Sequence, residues 1–314
     1  MLSRRHLRIK VMQALYGYSN ASFDSIGAGE KEIMLSISRF YDLFLYQLLF
    51  ISEIFETAGK QSEDAKHKHI PTREELNPNT RFLENPFLIA LSKSATLQEL
   101  YKKRNISWVG ENEIARRAFT NFRNSSEYEK YLASDDNNFE KDKEIVATLV
   151  KKFIVDFPPL MQYYEERSIF WVDDIDIVNM ILIKIIRSSK EENVDSTFTS
   201  LEWFVDDEDR EFAIGLFRKT IMGSEKYEKI IAEKTLNWEL ERIAMMDILL
   251  MKMAVCELTE FPSIPVKVTL NEYIDLAKMY SSPKSSFFIN GILDKLIVDL
   301  KRDNLINKTG RGLM

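Results

Sequence analysis

At 314 residues the chain is long enough for one large domain or two smaller ones with substantial apolar cores. Apolar residues make up 45% and charged residues 29%, with only 10 Gly and 8 Pro, which excludes a disordered chain and turn-dense sandwiches or barrels and favours helices. The net charge of −6 excludes a protein that coats nucleic acid by bulk charge, so any anion site is local.

The single cysteine, Cys256, cannot form an intramolecular disulfide and fits a reducing cytoplasm. Gln13, Ser19 and Asn20 interrupt the opening stretch, so it does not read as a secretory signal. The apolar run Leu43 to Ile51 is about half a membrane span, and the expectation is a cytoplasmic protein with no membrane partner.

In chain order, Leu7, Val11, Ala14, Leu15 and Tyr18 form a helical stripe, with Arg4, Arg5 and Arg8 placed on other parts of that helix. Ser19 to Glu30, with Gly27 and Gly29, reads as a linker. Glu32 to Phe55 is a long helix, apolar on more than one face and therefore buried. Thr57 to Thr80 loses all period and is expected to be a loop. Shorter helical patterns follow at Pro86 to Trp108 and Glu111 to Leu132, with breaks at Ser134 to Asn138 and Asn193 to Thr199.

Shifted by 67 residues, Asp142 to Trp171 aligns without a gap on Asp209 to Trp238, with seven identities in thirty positions, against about two from average composition. After a one-residue slip, Ile175 to Ile186 continues onto Ile243 to Ala254. Either a helix pair has been copied or two amphipathic helices share a period; the repeated tryptophan favours copying. Further on, Met245 to Leu258 is a core helix ended by Pro262 and Pro265. Leu270, Ile274 and Ala277 mark the next helix. Ser285 or Ser286 caps a last helix whose inner stripe is Ile289, Ile292, Leu293, Leu296 and Leu300.

Motifs for chemistry are weak. His67 and His69 lack a cysteine or carboxylate cluster at ligand spacing, and Gly27 and Gly29 lack the strand and third glycine of a phosphate loop. Cys256 lies in an apolar helix as a packing residue, and Asp206 to Asp209 either hold a cation or, more simply, sit at the positive end of a helix dipole. No catalytic set, metal site or cofactor is indicated. Residues 1–20 carry Arg4, Arg5, Arg8 and Lys10 and no acid, which makes either a phosphate-binding patch, with His6 as an added donor, or a solvated helix face. Tyr280, Lys284, Phe287 and Phe288 flank the last turn; exposed, they can stack bases, and buried, they are core.

The run Arg4 to Tyr16 (RRHLRIKVMQALY) resembles the opening signature of the NusB family of transcription antitermination factors. Glu257-Leu258, Ile264 to Glu272 (IPVKVTLNE), Asp275 to Lys278 (DLAK) and Phe288 to Lys295 (FINGILDK) resemble its closing one. The resemblance implies an all-α, NusB-like helical bundle from residues 1–25 and 196–302. It is enlarged by a helical insertion at 26–195, partly copied from the core, and followed by a flexible tail at 303–314. It also implies a non-enzymatic protein that binds boxA-type single-stranded ribosomal RNA together with NusE, a small-subunit ribosomal protein, within the transcription elongation complex.

Carried over by position, Arg4, Arg5 and Arg8 match the family's RNA-contacting helix, and Tyr280, Phe288, Lys267 and Asn290 match its RNA-proximal motifs. Tyr16 and Asp247 match the NusE-facing surface, Asp247 being otherwise a polar residue inside the bundle. Lys284 stands where the family commonly has an acid, which adds a phosphate donor to the RNA set and shifts sequence preference. Two alternatives stand beside this: an RNA methyltransferase, for which no glycine-rich cofactor loop follows a strand, and a protein-only helical scaffold, with Glu32 to Phe55 as a homodimer seam or docking surface.

Overall fold

The computed structural model describes residues 2–20, 25–134, 136, 138–199, 207–235 and 243–313. Every regular element among them is helical: α1 (Arg4–Ser19), α2 (Ile26–Lys66), α3 (Arg73–Leu76), α4 (Pro86–Lys93), α5 (Ala95–Arg104), α6 (Asn112–Arg123), α7 (Ser126–Ala133), α8 (Phe139–Leu149), α9 (Pro158–Arg167), α10 (Trp171–Ser188), α11 (Val194–Thr199), α12 (Asp207–Met222), α13 (Ser224–Ala232), α14 (Met245–Glu260), α15 (Val266–Tyr280) and α16 (Ser285–Arg302). A π-helical turn, Val150–Ile154, extends α8. The protein is all-α, as its scarcity of turn residues predicts.

The chain divides into two compact units, one of Met1–Ile37 with Glu202–Met314 and one of Ser38–Leu201. In the first, α14 is the central helix. It packs against α1, α12, α13, α15 and α16, and its residues Leu249 to Leu258 are almost all buried, as expected of a helix that is apolar around its whole circumference. α1 lies on α12 and α14 and buries Leu7, Val11, Met12 and Leu15.

In the second unit the core is aromatic. Trp108 stacks on Tyr163 at 4.4 Å, and Tyr46, Tyr164 and Trp171 pack edge-on around them. Each unit contains one three-helix arrangement in common. α10 packs on α8 and α9, and α14 packs on α12 and α13, in the segments that align at the sequence repeat. Trp171 is buried; its counterpart Trp238 lies outside the described residues.

Four segments differ from the sequence expectation, one of them Asn193 to Thr199, expected as a break, which forms α11 and buries Val194 and Phe198 against α4 and α5. The supposed linker enters α2 already at Ile26; Gly29 lies inside that helix, where a Cβ would run into the Phe217 ring, so the glycine permits close approach and does not mark a turn. The supposed loop after Thr57 stays helical to Lys66, its charged residues being a solvated face on which Glu63 pairs with Lys66 and His67. By length and composition α2 could cross a membrane, but 72% of its apolar window is buried inside the fold, which marks a core helix.

The tail is tied down as well. Lys308 Nζ donates to the carbonyls of Glu257 and Phe261 at the end of α14, and Thr309 N–H donates to Pro262 O. These bonds satisfy carbonyls that the helix itself leaves open.

Candidate nucleic-acid interface

α1 starts at a capping box: Ser3 Oγ accepts from His6 N–H, and His6 Nδ1 accepts from Ser3 N–H. Burial, with Lys10 and Arg5 nearby, pulls the His6 pKa down to about 4, so at neutral pH the ring is an uncharged cap.

The three arginines diverge from this start. Arg4 donates from Nη2 to Glu208 (2.8 Å) and from Nε to Asp209 (2.9 Å), and its guanidinium lies over the Phe212 ring. Arg5 holds Glu272 through two bonds of 3.0 and 2.9 Å and reaches Asp275 at 2.9 Å. The side chains of Arg4 and Arg5 stay 30% and 39% exposed. Burial works against the Arg4 charge but Glu208 and Asp209 outweigh it; for Arg5 the Glu272 hydrogen bonds dominate, so both pKa values rise.

Arg8 differs from its expected role. It is only 2% exposed, and both its Nε and Nη2 are bonded to Glu257, which is fully buried. One helical turn before Val11 and Met12, it points inward with them, so the position anchors α1 to α14 and is closed to a phosphate. Of the acidic run, Glu208 and Asp209 serve Arg4 directly rather than a cation, Asp207 is exposed in the first turn of α12, and Asp206 lies outside the described residues. Among the described residues no group of three or more His, Cys, Asp or Glu is placed to hold a metal.

A shallow groove of about 710 Å³ runs beside this cluster, lined by Ser3, Arg4, Arg5, Ile264, Pro265 and Val268 among others. From there α15 leads to the second half of the candidate face. Lys267 is exposed in its first turn, and Arg5 grips its middle at Glu272 and Asp275. Tyr280 ends it about 20 Å from Lys267, at 1.5 Å rise per residue.

The α15–α16 turn is held from beneath by Asp247, whose Oδ1 accepts from Ser281 Oγ (2.5 Å) and Oδ2 from Ser285 Oγ (2.8 Å). Asp247 is buried, so of its two expected roles the internal one is what the geometry gives. Tyr16 is exposed on α1. Lys284 is exposed just before α16 and, like Lys267, pairs with no acid among the described residues.

Around this turn Tyr280, Phe288 and Asn290 are half-buried, whereas Phe287 is 82% exposed. The sequence carries the signal for this difference. At 100° per residue Phe287 falls opposite the stripe Ile289, Ile292, Leu293 and Leu296, and Phe288 falls on its flank. The face thus combines two half-exposed, carboxylate-held arginines, two open lysines and one protruding aromatic ring. Binding of a strand, by phosphate pairing and base stacking, is chemistry such a set can perform.

A model of the NusB family matches residues 176–298, from α10 to α16; the arginines of α1 lie outside that span. The transcription antitermination protein NusB of Salinibacter ruber is 45% identical over 105 residues, 33% of this chain and 66% of that protein. Its namesake in Chloroherpeton thalassium is 34% identical over 129 residues, 41% of this chain and 61% of that protein. The chain therefore spans less than two thirds of the length of either. The NusB protein of Koribacter versatilis is 36% identical over 109 residues, 35% of this chain and 75% of that protein. No solved structure matches the chain. With an all-helical fold, the family model matched through α16 and that identity across three quarters of a relative, the chain belongs to the NusB family.

Proposed function

We propose that this protein is a cytoplasmic, non-enzymatic transcription antitermination factor that binds boxA-type single-stranded ribosomal RNA together with NusE, within the transcription elongation complex. The relatives' role as antitermination proteins supports the first part. The observation that carries the RNA part is the exposed set on the first unit: Phe287 and Lys284 at the α15–α16 turn, Lys267 along α15, and the half-exposed Arg4 and Arg5.

In this proposal phosphates are drawn by Lys267 and Lys284 and exchange with the carboxylates on Arg4 and Arg5, while Phe287 stacks an unpaired base; Tyr280, Phe288 and Asn290 shape the edge of that platform. Arg8 acts by positioning α1. Tyr16 is the exposed residue proposed to face NusE, and Asp247 supports the turn from inside. Residues 26–195 are proposed to be the insertion that enlarges the family bundle.

The test is a gel shift of full-length protein on boxA-type RNA, with and without NusE, at two salt concentrations. Binding that tightens with NusE and weakens with salt is expected. No shift under any of these conditions contradicts the proposal.

A further inference from the structure

The alignment of α10 with α14 sets up a comparison between the two units. Residue for residue, Asn179 falls where Asp247 does. The inward faces agree: Val178, Leu182, Ile185 and Ile186 are buried in α10, and Leu250, Met253 and Ala254 are buried in α14. The other faces do not. Met251, Val255 and Cys256 of α14 are fully buried; their counterparts on α10 are half-buried Ile183 and exposed Arg187 and Ser188. α10 thus keeps an open side where the matching side of α14 is buried.

That side forms a groove of about 870 Å³. One wall comes from Lys151 in the π-helical turn and Val155 just beyond it, the other from Met180, Ile183 and Lys184. Such turns recur at functional sites. Met180 is 63% exposed, and Val172 continues the apolar line two turns earlier on the helix.

Asn179 lines the groove and is itself 2% exposed; its Oδ1 accepts from Gln47 Nε2 at 2.7 Å, but its buried Nδ2 has no partner. At the matching place in the first unit both Asp247 oxygens are satisfied by serines of the covering turn. Four charged residues line the groove: Lys151, Asp176, Lys184 and Arg187. Arg187 is already held by Glu144, while Lys151 and Lys184 pair with no acid among the described residues and outnumber the one carboxylate, Asp176, which leaves a rim that is basic on balance.

We propose that this groove docks an amphipathic helix with an acidic flank, presented by a partner protein, which covers the open side of α10. Its apolar stripe seats on Met180 and Ile183, its acids meet Lys151 and Lys184, and an oxygen it carries takes up the Asn179 donor.

The experiment is fluorescence anisotropy of the full-length protein with a labelled synthetic helix, leucines at i, i+3, i+4 and i+7 and glutamates on both flanks. A lysine-flanked counterpart serves for comparison. The acidic helix is expected to bind, about tenfold more weakly after Met180→Asp or Lys184→Glu, and unchanged after Val298→Asp at an exposed site on α16. Absence of binding, equal binding of the lysine-flanked helix, or indifference to Met180→Asp overturns the proposal. So does displacement of the helix by single-stranded RNA, or a dimer seen by sedimentation that Met180→Asp dissolves, since these assign the groove to RNA or to a second copy.

Discussion

Arg8 of α1 and Glu257 of α14 form a two-pronged ion pair, Nε to Oε2 at 2.8 Å and Nη2 to Oε1 at 2.7 Å, with both side chains out of reach of solvent. Thr269 Oγ1 and Tyr273 OH from α15 donate to the same carboxylate, so three helices converge on Glu257. This bond fixes how α1 lies on α14 and therefore where Arg4 and Arg5 emerge.

Breaking that pair leaves a buried charge unpaired. Arg8→Ala or Glu257→Ala is expected to destabilise the protein by about 3–5 kcal/mol in urea unfolding, and Arg8→Met with Glu257→Leu to recover most of the loss. A single variant as stable as the parent would show that the pair is not the anchor described.

Asp247 takes two serine hydroxyls that hold the start of α16. Asp247→Ala is expected to cost about 1–3 kcal/mol, the range for leaving buried hydroxyls without their acceptor, seen as a lower urea midpoint with unchanged slope. Asp247→Asn keeps one acceptor and is expected to fall between.

The two phenylalanines at the last turn separate binding from stability. Phe287→Ala is expected to leave unfolding within about 0.5 kcal/mol of the parent and to weaken RNA binding by about 1–3 kcal/mol. Phe288→Ala, half-buried, is expected to lower stability by about 2 kcal/mol.

His6 titrates near pH 4 in the fold, against an ordinary value of 6.5. Between those values the unfolded chain binds the extra proton, so stability contributed at this site is present above pH 6.5, falls as pH drops toward 4, and is level below. His6→Gln keeps the N-terminal cap without the titration; its Tm is expected to drop less than the parent's between pH 7 and 4.5.

The helices that carry strong local signals were legible without the structure. α14 to α16 are punctuated by Pro262, Pro265 and the Ser281 to Lys284 turn, and their stripes name the buried residues. What was not legible depends on distant partners. Nothing near Arg8 says that a glutamate 249 positions later receives it, and nothing near Gly29 announces the Phe217 ring. The basic opening looked like a bare cationic patch because the acids that hold it, Glu208, Asp209, Glu272 and Asp275, lie in other helices. Phe287 was within reach of helical geometry; its flank neighbour Phe288 sits in the recognisable motif and drew the assignment instead.

Salt titration of RNA affinity tests the binding face most directly. On boxA-type single strands, log affinity against log salt is expected to flatten by about 0.7 for each of Lys267→Ala and Lys284→Ala, both exposed and free to change without unfolding the protein. Unaltered slope and affinity in the double variant would contradict an RNA site on α15 and its turn.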